Sequence, residues 1–151
     1  MCSSDLVKLG GQVLTTGGNG ASTRFDGVIS GAGTLAKLGS GRLTLTGTNT
    51  YAGGTQLRGG ELAIAADAQL GSLPPEAAAS PLLFDGGTLV ATDSFVLAAQ
   101  RGLVLQGVGA VLSVDTGKTL QIPGSIAGGS SAGSLSKTGG GRLLQIGRAH
   151  V

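Results

Sequence analysis

Glycine occupies 30 of the 151 positions, roughly a fifth of the chain where ~7% is usual. Glycine weakens a helix or strand interior and favours turns, so this chain is restricted to short elements separated by frequent corners. The apolar residues decide what those elements can pack around. Hydrophobic residues make up 40% but aromatic ones only 3%, as Phe25, Tyr51, Phe84 and Phe95, with no tryptophan. A core must therefore be assembled from Leu, Val, Ile and Ala. Disorder would need low hydrophobicity and high net charge, whereas the formal net charge is only +2. Ten Lys and Arg against eight Asp and Glu supply neither a basic nucleic-acid footprint nor an acidic tail. What remains is an all-β chain of short aliphatic strands.

Both termini read as translated sequencing adapter. The codons ATC-GGA-AGA-GCA-CAC-GTC of a widely used library adapter encode Ile146-Gly147-Arg148-Ala149-His150-Val151. The reverse complement of the same oligonucleotide, GTG-TGC-TCT-TCC-GAT-CT, gives a start codon followed by Cys2-Ser3-Ser4-Asp5-Leu6. The adapter's leading AG restricts the preceding codon to NAG, and residue 145 is Gln, as that requires. Residues 7–145 are thus expected to be the genuine protein, with 1–6 and 146–151 as adapter translation. Sequencing the source DNA across both junctions checks this. The expectation removes Met1, Cys2 and His150, the only residues of their kinds. The remainder has no thiolate nucleophile, Cys/His zinc site or His-based triad. Freedom from cysteine also suits an oxidising compartment. No apolar run approaches the ~18 residues of a membrane-spanning helix.

One segment repeats at an offset of 100. Gly33-Thr34-Leu35-Ala36-Lys37-Leu38-Gly39-Ser40-Gly41-Arg42-Leu43 aligns without gaps to Gly133-Ser134-Leu135-Ser136-Lys137-Thr138-Gly139-Gly140-Gly141-Arg142-Leu143. Around both copies, short apolar runs alternate with period two and close on Gly, Asn, Asp or Ser, the strand-and-turn pattern. Strands are predicted at 13–15, 23–29, 34–37, 42–46, 55–57, 61–64, 82–84, 88–91, 95–97, 103–105, 111–114, 119–122, 134–137 and 142–145. Residues 65–80, with Pro74-Pro75 and an alanine cluster, read as a protruding loop with room for a helical turn. Such strands suit a β-sandwich, a barrel or a parallel β-helix. The composition favours the solenoid, whose narrow core stacks like on like without aromatic fillers. An offset of 100 would then equal about five coils of roughly twenty residues, within the usual range of repeat periods.

The segment from Ile29 through Thr55, continued by Gly59-Gly60-Glu61-Leu62, closely resembles the autotransporter-associated β-strand repeat of type V secreted Gram-negative proteins. The residues that carry the resemblance are Gly31, Gly33, Leu35, Lys37, Gly39, Gly41, Leu43, Leu45, Gly47, Asn49, Tyr51, Gly53 and Thr55. A second copy over 126–145 keeps Gly133, Leu135, Lys137, Gly139, Gly141 and Leu143. It departs from the pattern by an insertion around 129–132 and stops before the Asn-Thr-Tyr part. The resemblance implies a right-handed parallel β-helix that forms a stalk at the cell surface, exported and threaded through the outer membrane by a C-terminal β-barrel of the same polypeptide. No catalytic residues belong to that repeat. It also implies adjacent coils as partners, and leaves a glycan or host-surface ligand as a further partner.

Gly31 to Ala36 satisfies the dinucleotide fingerprint, but that motif needs a following helix, and here a strand is predicted. Gly117-Lys118-Thr119 ends like a phosphate loop, yet Leu112 stands where its first Gly belongs. Asp26, Glu61, Asp67, Asp85, Asp93 and Asp115 are scattered singly, so a paired-carboxylate polysaccharide lyase or hydrolase depends on the coils bringing two together. Lys37, Arg42, Lys137 and Arg142 recur at equal spacing and would make a basic stripe for glycans if the coils kept that spacing. The competing reading is solvated charge flanking turns. The expectation is a non-catalytic stalk segment with no cofactor, no metal site and no nucleic-acid partner. The alternatives are a glycan-binding adhesin and a lyase or hydrolase fragment.

Overall fold

A computed structural model describes residues 6–72, 82–128 and 133–145, with the backbone of 149–150. The chain advances through short parallel strands, about six turns of a β-solenoid. The first turns comprise β1 (Leu6–Lys8), β2 (Val13–Thr16), β3 (Thr23–Phe25), β4 (Val28–Ser30), β5 (Thr34–Lys37) and β6 (Arg42–Leu45). The middle turns comprise β7 (Thr55–Leu57), β8 (Glu61–Ile64), β9 (Leu82–Phe84), β10 (Thr88–Ala91), β11 (Phe95–Val96) and β12 (Leu103–Leu105). The last comprise β13 (Gly109–Val114), β14 (Thr119–Ile122), β15 (Ile126–Gly128), β16 (Ser134–Thr138), β17 (Arg142–Gln145) and β18 (Ala149–His150).

These strands stack on three faces. The first face is seven strands in the order β18-β15-β12-β9-β7-β5-β2, and the second is six in the order β16-β13-β10-β8-β6-β3. The third face is β1-β4 at one end and β11-β14-β17 at the other. Between them the chain crosses this face without a strand, through Asn49–Tyr51 and the 3-10 turn Asp67–Leu70. Backbone bonds still carry the stacking there, from Thr50 and Tyr51 N–H to Ile29 O and from Asn49 N–H to Ala68 O.

The core follows from the two-residue alternation. Leu14, Leu35, Thr55, Leu82, Leu103 and Ile126 are successive partners on the first face, and Leu43, Leu62, Leu89 and Leu112 on the second. Like stacks on like, so leucine fills the interior without aromatics. Each fully buried leucine contributes about 1.5–3 kcal/mol.

The predicted strands at 34–37, 55–57, 61–64, 82–84, 88–91, 103–105, 119–122 and 142–145 are observed with those bounds. The predicted strand at 23–29 is instead two. The chain turns a corner at Asp26–Gly27, where Gly47 of the next coil packs onto Gly27 O, so β3 and β4 lie on different faces. β1, β15 and β18 were not anticipated. Leu6 pairs with Val28, and Ala149 with Ile126, so residues expected to be adapter translation extend the backbone ladders. Of the anticipated loop, 67–70 forms the 3-10 turn, while 73–80 lies outside the described residues. The insertion at 129–132 does so as well.

Candidate functional site

The repeat residues of the first copy are spent on stacking. Leu35, Leu43 and Leu45 face the core. Gly33, Gly41, Gly47 and Gly53 each sit over a backbone carbonyl of the preceding coil, those of Gln12, Ala21, Gly27 and Gly33, and Gly31 sits against Gly10. Gly39 has a φ of +73° and lies on Gly17 O.

Lys37 is not a solvated charge. It ends β5 between Thr16 and Leu57 on the inner ladder, is 1% exposed, and donates from its ammonium to Leu38 O. No carboxylate among the described residues meets it, and burial holds its pKa below the usual 10.5. Lys137 repeats the device on the second face, where its ammonium donates to Gly139 O at 2.8 Å. Lying on the last rung of that face, it is exposed.

Three polar side chains stitch coils together on the third face. Asn49 is buried; its Oδ1 accepts from Ile29 N–H at 2.9 Å and its Nδ2 donates to Gln69 O at 2.8 Å, so one side chain spans three coils. Gln69 accepts from Ala65 N–H and donates to Thr46 O. Arg101 is 2% exposed and holds the 3-10 turn through Asp67 Oδ1 at 2.7 Å, Gly71 O at 2.6 Å and Leu70 O at 3.2 Å. Gln69 and Arg101 were not singled out in the sequence, and nothing local to Arg101 marks it as buried.

Tyr51 is fully buried, with its hydroxyl 2.6 Å from Thr55 Oγ1. Burial pushes its pKa up to about 12. Lys37 and Tyr51 act on alkaline stability with opposite signs. The folded chain gives up the Lys37 proton first, so stability rises with pH towards 10.5; the unfolded chain gives up the Tyr51 proton first, so stability falls from pH ~10 to ~12. Tyr51 is the only tyrosine and there is no tryptophan, so tyrosinate absorbance reports this ring alone. Its titration is expected near pH 12 in the folded chain and near ~10 in urea. Tyr51→Phe should abolish the loss of stability above pH ~10, about 2–3 kcal/mol.

The basic stripe does not form. Lys37 lies on the first face and Arg42 on the second, whereas Lys137 lies on the second and Arg142 on the third. Rungs vary from 19 residues (Arg42↔Glu61) to 27 (Thr55↔Leu82), so an offset of 100 is not a whole number of coils. Four successive steps carry Leu35 to Ile126, not to Leu135. Within the second copy, Gly139 and Gly141 pack on Val114 O and Asp115 O, and Gly133 packs on Gly109. Leu143 pairs with Leu120, while Leu135 is exposed.

The carboxylates disperse. Arg24 holds Asp26 at 2.6 Å, Arg42 holds Glu61 at 2.9 Å, Arg101 holds Asp67 at 2.7 Å and Lys118 holds Asp93 at 3.3 Å. The Thr46 hydroxyl and then Arg24 lower the Asp26 pKa; the Ser94 N–H and then Lys118 lower that of Asp93. Gly117 sits in a turn closed from Lys118 N–H to Asp115 O, and Gly31–Ala36 leads into β5 rather than a helix. On the outer face of the second sheet, Ser22, Thr23, Arg24, Ser40, Arg42, Thr44 and Glu61 line an open groove of about 400 Å³.

Residues 35–64 match the family described as passenger-associated-transport-repeat. The chain is 41% identical over 137 residues to the adhesin BmaC autotransporter of Brucella suis biovar 1 (strain 1330). That alignment covers 91% of this chain and 4% of the relative, so the chain spans a small part of the curated relative it matches. No solved structure matches it.

Proposed function

This chain carries an autotransporter passenger repeat in a β-solenoid, and from that premise we propose that it is a non-catalytic stalk segment at the Gram-negative cell surface. It supports transport of the passenger through the outer membrane and holds more distal parts away from the cell. Adjacent coils and a C-terminal outer-membrane β-barrel of the same polypeptide are its partners. The observation that carries this reading is the use of the first repeat's residues: its leucines and glycines pack coil on coil, Asn49 bonds across coils, and Lys37 and Tyr51 are buried inside the stack. Coils that template one another can form progressively as a chain emerges. The four paired carboxylates each hold a different cation, an arrangement that supports a non-enzymatic segment over a lyase or hydrolase.

The test is deletion of 35–64 from the full-length passenger, compared with replacement by another coil of equal length. Deletion should lower the protease-accessible passenger at the cell surface while the barrel inserts normally, and the replacement should restore it. Unchanged display after deletion would sink the proposal. A second reading, an adhesin contacting surface glycans, is favoured by the relative's name and by the groove beside Arg42.

A further inference from the structure

The groove on the outer face of the second sheet carries chemistry that the stacking does not use. We propose that it binds a carboxylate-bearing sugar of an acidic polysaccharide, with Arg24 and Arg42 gripping the carboxylate and Ser40, Thr44 and Glu61 meeting ring hydroxyls. The proposal goes beyond the stalk reading and rests on the groove alone.

The two arginines come from neighbouring strands. Arg24 of β3 pairs with Thr44 of β6, two residues along that strand from Arg42. Each is tethered by Nε, Arg24 to Asp26 at 2.6 Å and Arg42 to Glu61 at 2.9 Å. No hydrogen bond from either pair of Nη groups is present among the described residues. A guanidinium held at one edge keeps its outer fork for a second planar anion, and the tether reduces the ordering cost of binding.

The balance of charge selects the ligand. Asp26 and Glu61 balance the two arginines, so the groove is near neutral as a whole and only the free forks are left for an anion, which fits one carboxylate per sugar rather than a run of phosphates. Hydroxyls from Ser and Thr and the Glu61 oxygens suit a ring that carries its own hydroxyls. The groove's volume of about 400 Å³ falls within the ~300–1,000 Å³ of small-ligand sites. No aromatic ring lines it, so it offers nucleic-acid bases no stacking platform.

The experiment immobilises the 151-residue chain and titrates it with polygalacturonate, carboxylate-free dextran sulfate, uncharged dextran and duplex DNA. Polygalacturonate is expected to bind and dextran not to. Arg24→Gln/Arg42→Gln should weaken binding by about tenfold or more, while Arg58→Gln, which removes one exposed charge outside the groove, should leave it unchanged. Arg24→Lys/Arg42→Lys keeps the charge and loses the fork, so it too should bind weakly. This conservative pair decides the matter if the glutamine pair fails to fold. Tighter binding of dextran sulfate or DNA than of polygalacturonate would overturn the proposal, as would equal losses in the Arg58 variant or full binding by the lysine pair.

Discussion

Arg101→Ala is expected to destabilise the folded chain by about 3–5 kcal/mol, and to loosen the third face first. The guanidinium is buried and gives five hydrogen bonds to residues 67–71 at 2.6–3.3 Å, to Asp67 Oδ1, Oδ2 and O, Leu70 O and Gly71 O. Alanine removes the arginine from the carboxylate and three carbonyls, leaving Asp67 Oδ1 with only the Ala98 N–H, and breaking a buried ion pair from one side costs far more than the pair's net worth. Arg101→Lys can satisfy only part of this set and should fall between the two. Hydrogen exchange across 67–72, together with the urea midpoint, reads the effect. A loss under about 0.5 kcal/mol, the size of an ordinary surface substitution, would show that the clasp does not hold the turn.

Gly39→Ala should be nearly as damaging, and its comparison with Gly117→Ala separates two causes. Both glycines have positive φ, +73° and +80°, so each alanine pays the left-handed backbone cost of about 1–2 kcal/mol. A Cβ on Gly117 would meet nothing within 4 Å, whereas one on Gly39 would collide with Gly17 O of the preceding coil. The Gly39 variant must open the corner between coils and should lose at least about 2 kcal/mol more. Urea denaturation of the two single variants measures the difference. Equal losses would mean that the corner yields freely.

The strand positions were legible because each is an alternating run closed by Gly, Asn, Asp or Ser, as at Leu82–Phe84 and Glu61–Ile64. The family was legible too, from the long match over Ile29 to Thr55. The face on which each strand lies was not. Phase accumulates over rungs that vary from 19 to 27 residues, and the second repeat copy comes to lie on different faces. Lys37 resembles a turn-flanking surface charge in sequence, yet its inward ladder position follows from its place beside Leu35 on the same strand. The pairing of Arg101 with Asp67 spans 34 residues and leaves no local trace. The groove was equally hidden, since Arg24 and Arg42 meet only through the register of β3 with β6.

The solenoid's construction also sets how it bears a mechanical load. Interstrand hydrogen bonds between rungs run along the stack, so a pull on the two ends loads the rungs in series and the weakest junction yields first. On the third face no strand lies between β4 and β11. There the side-chain bonds of Asn49 and Arg101 stand in for part of a backbone ladder. Under tension the junctions between these coils rest on the ladders of the other two faces together with those few polar contacts.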